Sequence, residues 1–392
     1  MSLINQINHL SEVNHSAVVE MRRHLHKNPE LSFKEFKTSE YIQQKLDEFG
    51  IEYESGIVKT GVVALIKGKN PETKCLALRA DIDALPIKET NQTSYCSTND
   101  GVMHACGHDV HTASLLGVAK VLNQTKDLWH GTVKLIFQPG EEMLPGGASL
   151  MIEQGVLENP QVDVILGQHV SPEILSGKVG FKAGMFMASA DELYFKVIGV
   201  GGHAAIPHDS INPLKIASKI ISSLYDHFDD QENIILSLGA INGGTLGNIV
   251  PEQVKMKGTF RAMDENKRKE SHEKIRSICN EIANEFGGGC EVDIKLGYPF
   301  LKNDVPLTEW SIKNAKTVLN ESDVLEIPKR MTAEDFAYYS HRVPSCFYRL
   351  GVGFENQETR KLHNSNFDID EGALLTSVKL MSTLAINWLL QK

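Results

Sequence analysis

The apolar positions of this chain follow two different spacings. Over 15–27 and 37–49 they recur at intervals of three and four, which predicts helices with one buried face, and Gly50 ends the second. Between and beyond them come dense apolar runs: GVVALIKG, KCLALRAD, TVKLIFQP and VDVILGQH. Such runs predict strands covered on both faces. Helical stretches at 109–124 and 146–155 precede the last two, and alternation of this kind predicts an α/β sheet with helices on both faces.

The pattern changes near residue 188. DELYFKVIGVGGHA reads as a strand, 212–228 as a helix, and NIILSLGAINGG and QVKMKGTFRAM as two more strands. A polar helix at 265–286 and the strand CEVDIKLGY follow. This strand–helix–strand–strand–helix–strand order is the split ferredoxin-like pattern. After Pro299 helices are expected to dominate again, at 305–319, 333–341 and 371–390. The chain has 392 residues, more than the roughly 250–300 that one core serves. The reading is therefore a larger α/β domain in two parts, 1–187 and 297–392, with a smaller α+β domain, 188–296, inserted between them.

Composition narrows the function classes. No apolar tract reaches 18 residues, so no membrane span is expected, and the N-terminal stretch lacks a charged-then-apolar leader pattern. The formal net charge is −10, which argues against a nucleic-acid partner. The six cysteines, at 75, 96, 106, 279, 290 and 346, show no disulfide-like spacing, so a reducing cytoplasm is expected.

The chemistry concentrates at strand ends. VMHACGHDVH packs His104, Cys106, His108 and His111 into one window. Gly101 and Gly107 place its first part in a loop, with the helix starting near Asp109. In an extended loop, residues two apart face one way, so His104, Cys106 and His108 can share a side. Thiolate and imidazole suit transition-type divalent metals; a buried cysteine beside surface histidines gives the same local pattern. FQPGEEMLPGGA puts Glu141 and Glu142 just after a buried strand, VDVILGQHV ends another with His169, and RKLHNSNF adds His363 in a loop. Taken singly, each has an ordinary structural reading. In α/β folds, however, strand-end residues converge at one sheet edge, which favours a joint site.

At this point the chain resembles a known family. RRHLHKNPELSFKE (22–35), LRADIDALPI (78–87), MHACGHDVHTA (103–113), FQPGEE (137–142), GGHAAIPH (201–208), GGTLGNIVPE (243–252), GTFRAM (258–263) and AEDFAYY (333–339) look like the M20 metallopeptidase/amidohydrolase family. They are most similar to its N-acyl-amino-acid hydrolase branch, the hippurate hydrolase and auxin-conjugate hydrolase group. The resemblance implies two divalent metal ions per subunit (zinc, manganese, nickel or cobalt), held by Cys106, His108, Glu142, His169 and His363. It implies Glu141 as general acid/base and Asp83 as a supporting carboxylate. His104 and His111 are left to packing or hydrogen bonding. It makes the inserted domain a lid and dimerisation domain, in which His203 contacts the developing oxyanion across a homodimer and Asn248 and Arg261 hold the substrate. One departure is MLPGGA after the glutamate pair, where the branch often has a shorter turn; Met143 and Leu144 bear on the acyl pocket.

The function so implied is metal-assisted cleavage of the amide bond of N-acyl amino acids. A dipeptidase or carboxypeptidase would use the same site. Two other classes compete: a binding protein with a structural metal, which has no need of a spare carboxylate beside its ligands, and a thiol enzyme using Cys106, which a chelator would not inhibit.

Overall fold

The computed structural model describes residues 2–391. It divides into two compact units. The first runs to Gly184 and resumes over Lys302–Pro328 and from Tyr338 onward; the second is Met185–Leu301 with Lys329–Ala337. The division therefore falls a few residues from the expected 187/188 and 296/297, and the segment Lys329–Ala337, expected with the outer part, packs with the inserted one.

The first unit is built on an eight-stranded mixed sheet. Its strand order is Glu52–Ile57, Gly61–Lys67, Thr132–Gln138, Cys75–Asp81, Val164–Leu175, Ser345–Gly353, Val179–Phe181, Val324–Glu326. The central strands run parallel, while Glu52–Ile57 and Gly61–Lys67 add antiparallel pairs at one edge. Every residue of Cys75–Asp81 and Thr132–Gln138 is buried, which is why their sequences show no polar alternation. The helices Leu3–Lys27, His108–Gln124 and Ala373–Leu389 pack against one another and close the core around Val18, Leu115, Val118, Val378 and Leu384.

Two expectations for the C-terminal part need correction. Helices do not dominate there: Ser345–Gly353 is a fully buried strand in the sheet interior, parallel to Val164–Leu175 with Arg349 opposite His169. The expected helix 333–341 shrinks to the single turn Ala337–Ser340. SCFYRLGVG has neither two-residue nor 3.6-residue periodicity because both its faces are covered, so periodicity carries no signal there.

In the second unit four strands pair antiparallel in the order Ile234–Asn242, Gln253–Ala262, Asp191–Ile198, Gly289–Leu296. Counted along the chain this is 2-3-1-4, the ferredoxin-like arrangement expected. Asp191–Ile198 alternates between buried and less buried positions, as a strand covered on one face does. Leu193, Phe195 and Val197 meet Ile216, Ile220 and Leu224 of helix Pro213–Phe228 and Ile275 of helix Glu265–Glu285 in one core. Both helices start at side-chain caps: Asn212 accepts from Leu214 N, with Pro213 in the first turn, and Asp264 accepts from Asn266 N and Lys267 N. Among the described residues no helix is long and apolar enough to cross a membrane.

Candidate metal centre

The first unit gathers five of the predicted ligands at the ends of its central strands. Cys106 precedes helix His108–Gln124, Glu142 follows strand Thr132–Gln138, His169 lies in strand Val164–Leu175, and His363 comes from the C-terminal loop. The helix begins one residue earlier than expected, after Gly107 at φ +85°. A Cβ on Gly107 would come within 2.4 Å of Val170 Cγ2. Only glycine therefore lets the loop between Cys106 and His108 lie this close to the residue after His169. The C-terminal loop is tied in by its backbone, His363 N donating to Ala105 O at 2.8 Å.

The ligand atoms converge. Cys106 Sγ lies 3.4 Å from His169 Nε2 and 3.3 Å from His363 Nε2, and His363 Nε2 lies 3.5 Å from Glu142 Oε1. Two donor sets consist of these five residues alone, Cys106–His108–His169 and Cys106–Glu142–His363, each with its atoms within 4.8 Å of one another. Cys106 is common to both. Glu141, nearly buried, forms a further group with His108 and Glu142, and His108 also groups with Asp81 and His111.

The surrounding hydrogen bonds assign the tautomers. His108 Nδ1 faces two acceptors, Asp83 O at 2.9 Å and Asp83 Oδ1 at 3.1 Å, so it carries the proton. His169 Nδ1 likewise donates to Val170 O at 2.8 Å. Both rings thus present Nε2 to the cluster. His108 Nε2 and Glu142 Oε1 are buried with no hydrogen-bond partner among the described residues. Buried polar atoms without partners are costly, and a cation at this point would satisfy them.

The electrostatics show a strongly negative surrounding for Cys106 and His108. Burial pushes the Cys106 thiol well up, and the Glu142 and Glu141 carboxylates push it further. Burial and then the Arg349 guanidinium hold the His169 imidazole well below its ordinary range. For His108 burial opposes charging, but Asp81 and Asp83 outweigh it and raise the imidazole to about 10. A thiol among carboxylates ionises readily only when a cation compensates it, and a set of sulfur, nitrogen and oxygen donors suits a divalent transition-type metal. The residues fit such a group.

The remaining histidines of the window separate. His111 uses both nitrogens: Nδ1 donates to Asp81 Oδ1 at 2.5 Å, and Nε2 accepts from Val170 N at 3.0 Å. It braces the strand end beside His169. His104 does not share a side with Cys106 and His108 in any donor set; it is buried near His26, and burial lowers its pKa to about 4. Sequence reasoning missed Ser32, whose Oγ donates to Asp83 Oδ2 at 2.7 Å. It lies inside the stretch 22–35, which carries the resemblance but had received no role.

The other three predicted residues belong to the second unit. His203 and Asn248 are neighbours there: strand Gly202–His203 pairs with Ile249–Val250, and Ala204 N donates to Asn248 O at 3.1 Å. Both are exposed and line an open cavity of about 590 Å³ with Gly201, Pro251 and Glu252. Arg261 stands half-buried on strand Gln253–Ala262, Nη1 donating to Met331 O at 3.2 Å.

Comparison with known proteins places this geometry. The chain is 38% identical over 379 residues to thermostable carboxypeptidase 2 of Saccharolobus solfataricus, covering 95% of each. It is 37% identical over 386 residues to N-acetylcysteine deacetylase of Bacillus subtilis, covering 95% of this chain and 97% of the relative. Among solved structures it resembles the Bacillus subtilis YXEP protein, described as a dinuclear metal binding peptidase from the M20 family. The TM-score is 0.85 at 34% identity, over 96% of this chain and 99% of that one. Residues 77–387, which hold every proposed metal ligand, match the model of peptidase family M20/M25/M40, and the chain belongs to that family.

Proposed function

We propose that this protein is a metal-dependent amidohydrolase that cleaves N-acyl amino acids into a carboxylate and a free amino acid. The observation that carries the reading is the convergence of Cys106, His108, Glu142, His169 and His363, with Glu141 beside them. These five residues would hold two divalent ions. Ions in such a site polarise a carbonyl and acidify water to react near neutral pH.

The protein's own residues supply the rest. Glu141 removes a proton from the attacking water as its oxygen adds to the amide carbon, then delivers that proton to the nitrogen as the C–N bond breaks. Asp83 holds His108 in its working tautomer through the Nδ1 contact. Arg261 offers a fork for the amino-acid carboxylate, Asn248 holds the substrate, and His203 stabilises the developing oxyanion. His203 and Asn248 lie outside the unit that carries the ligands. In this reading a homodimer formed through the inserted unit presents them. Exposed Ile241, Leu246 and Ile249 in that unit support an apolar contact. All six cysteines are free, in keeping with a cytoplasmic setting.

The likeness to a carboxypeptidase supports a second reading, hydrolysis of short peptides at the same site. A substrate panel separates them: N-acetyl and N-benzoyl amino acids against dipeptides, with the purified protein loaded in turn with zinc, manganese, nickel and cobalt. The first reading expects N-acyl amino acids to give the highest kcat/KM and a chelator to abolish turnover. Faster turnover of the dipeptides replaces it with the second, and chelator-resistant activity removes both.

A further inference from the structure

Glu141 stands between two backbone amides, each bonded to a buried carboxylate. Before it, Gly140 N donates to Glu35 Oε1 at 2.9 Å; after it, Glu142 N donates to Asp83 Oδ2 at 3.0 Å. Both carboxylates are fully buried and both are served by one short segment. Ser32 Oγ donates to Asp83 Oδ2, while Glu35 Oε1 also accepts from Phe33 N at 2.8 Å and Glu35 Oε2 from Thr60 Oγ1 at 2.6 Å. The segment is held in a costly shape, since Phe33 sits at φ +60°, a left-handed conformation that non-glycine residues rarely adopt. Its ring covers Gly140 so closely that a Cβ there would come 2.3 Å from Phe33 Cζ. Segment 32–35 is thus a mould for the turn that carries Glu141.

We propose that Glu35 is a positioning residue for Glu141: by accepting the Gly140 N–H, it fixes the main chain from which Glu141 reaches the reacting water. This rests on the reading of Glu141 as the proton-transfer group. The assignment divides the labour between the anchors. Asp83 holds the amide of Glu142, a ligand; Glu35 holds the amide preceding the base. Loss of Glu35 therefore acts on turnover and leaves the ligand set in place. A misplacement of about 1 Å at a reacting group is enough to cost roughly 10²-fold in rate.

The experiment compares Glu35→Gln, Glu35→Asp and Glu35→Ala in the full chain, using whichever N-acyl amino acid the panel shows to be turned over fastest. Glutamine keeps an acceptor at Oε1, and Thr60 can rotate to accept from its amide; kcat is expected within about threefold of wild type. Aspartate keeps the carboxyl group but is shorter by one C–C bond, about 1.5 Å, and alanine removes the acceptor. For both, kcat is expected to fall about 10- to 100-fold, with KM and bound metal per chain little changed. The proposal is overturned if the folded aspartate variant keeps wild-type kcat, or if the lost activity tracks lost metal and returns on adding it. Should the alanine variant not fold, the aspartate and glutamine variants decide between them. Equal losses in those two also overturn it, because the acceptor at Oε1 would then not be what matters. Glu141→Gln is measured alongside. If it still turns over, the reading of Glu141 has failed; if it is inactive while Glu35→Asp is normal, only the role of Glu35 has.

Discussion

Replacing Asp83 by asparagine tests the metal centre without touching a ligand. Three donors meet the Asp83 carboxylate: His108 Nδ1 at 3.1 Å, Ser32 Oγ at 2.7 Å and Glu142 N at 3.0 Å. Burial works against the charge, but the His108 and Ser32 hydrogen bonds and the Glu142 amide outweigh it and keep the pKa low. Asparagine offers one acceptor oxygen and one amine. If the amine faces Glu142 N, a buried backbone amide loses its acceptor; if it faces His108, two donors oppose each other. A hydrogen bond to a charged group contributes about 1.5–3 kcal/mol, which corresponds to about 10- to 150-fold in affinity. The lower end applies, because Asp83 O also accepts from His108 Nδ1 at 2.9 Å and survives the substitution. The expected loss is thus about tenfold in metal affinity, within the range seen when groups that orient metal ligands are removed. Competition between the metal-free protein and a fluorescent chelator measures it, with a thermal melt to confirm folding. A folded Asp83→Asn protein that binds metal within twofold of wild type would falsify the idea that Asp83 orients His108 and Glu142.

Glu141→Gln should keep its metal and lose about 10²–10⁴ in kcat; metal analysis together with steady-state kinetics checks both, and near-normal turnover removes Glu141 as the base. Cys106→Ser should bind metal weakly and need added metal for activity, since a hydroxyl imitates a thiolate poorly; full metal content after dialysis would make Cys106 a bystander. In the second unit Asp191 accepts from Arg268 and His272 Nε2 and from Gly297 N, and these contacts outweigh burial to lower its pKa. Its stabilisation is therefore complete above the unfolded value, about 3.9, and is lost as pH falls through the lower folded value. Asp191→Asn should lose about 3–5 kcal/mol at pH 7, and the gap in melting temperature to wild type should narrow below pH ~4; a gap independent of pH contradicts this. Finally, inactive His203→Ala and inactive Glu141→Gln proteins, mixed under conditions that exchange subunits, should regain activity if His203 serves the partner's site, because one site in each mixed dimer keeps both residues. No recovery despite proven exchange would place its action within its own chain.

Much of this was legible in the chain because burial leaves a local trace. KCLALRAD and TVKLIFQP became strands, and the inserted strands and helices took the expected order. Strand ends and glycine turns marked His104, Cys106, His108, His111, Glu141, Glu142, His169 and His363 as candidates, and the family resemblance singled out the five proposed ligands and Glu141 among them. Ser345–Gly353 was missed because a strand buried on both faces has no period to detect.

What the residues alone determined is therefore the elements and the candidate donors. How close those donors stand to one another only the tertiary structure decided. Cys106 and His363 lie 257 residues apart, and nothing local records that their Sγ and Nε2 come within 3.3 Å. His104, His108 and His111 look alike in the sequence. Beyond what the family resemblance implies, their surroundings separate only through partners supplied by other strands and loops: Asp83 for His108, and Asp81 and Val170 for His111. The physical reason is the range of each effect. Periodicity is set by which face a neighbouring residue can bury, whereas a tautomer, a pKa or a ligand set depends on contacts that exist only once distant segments have packed.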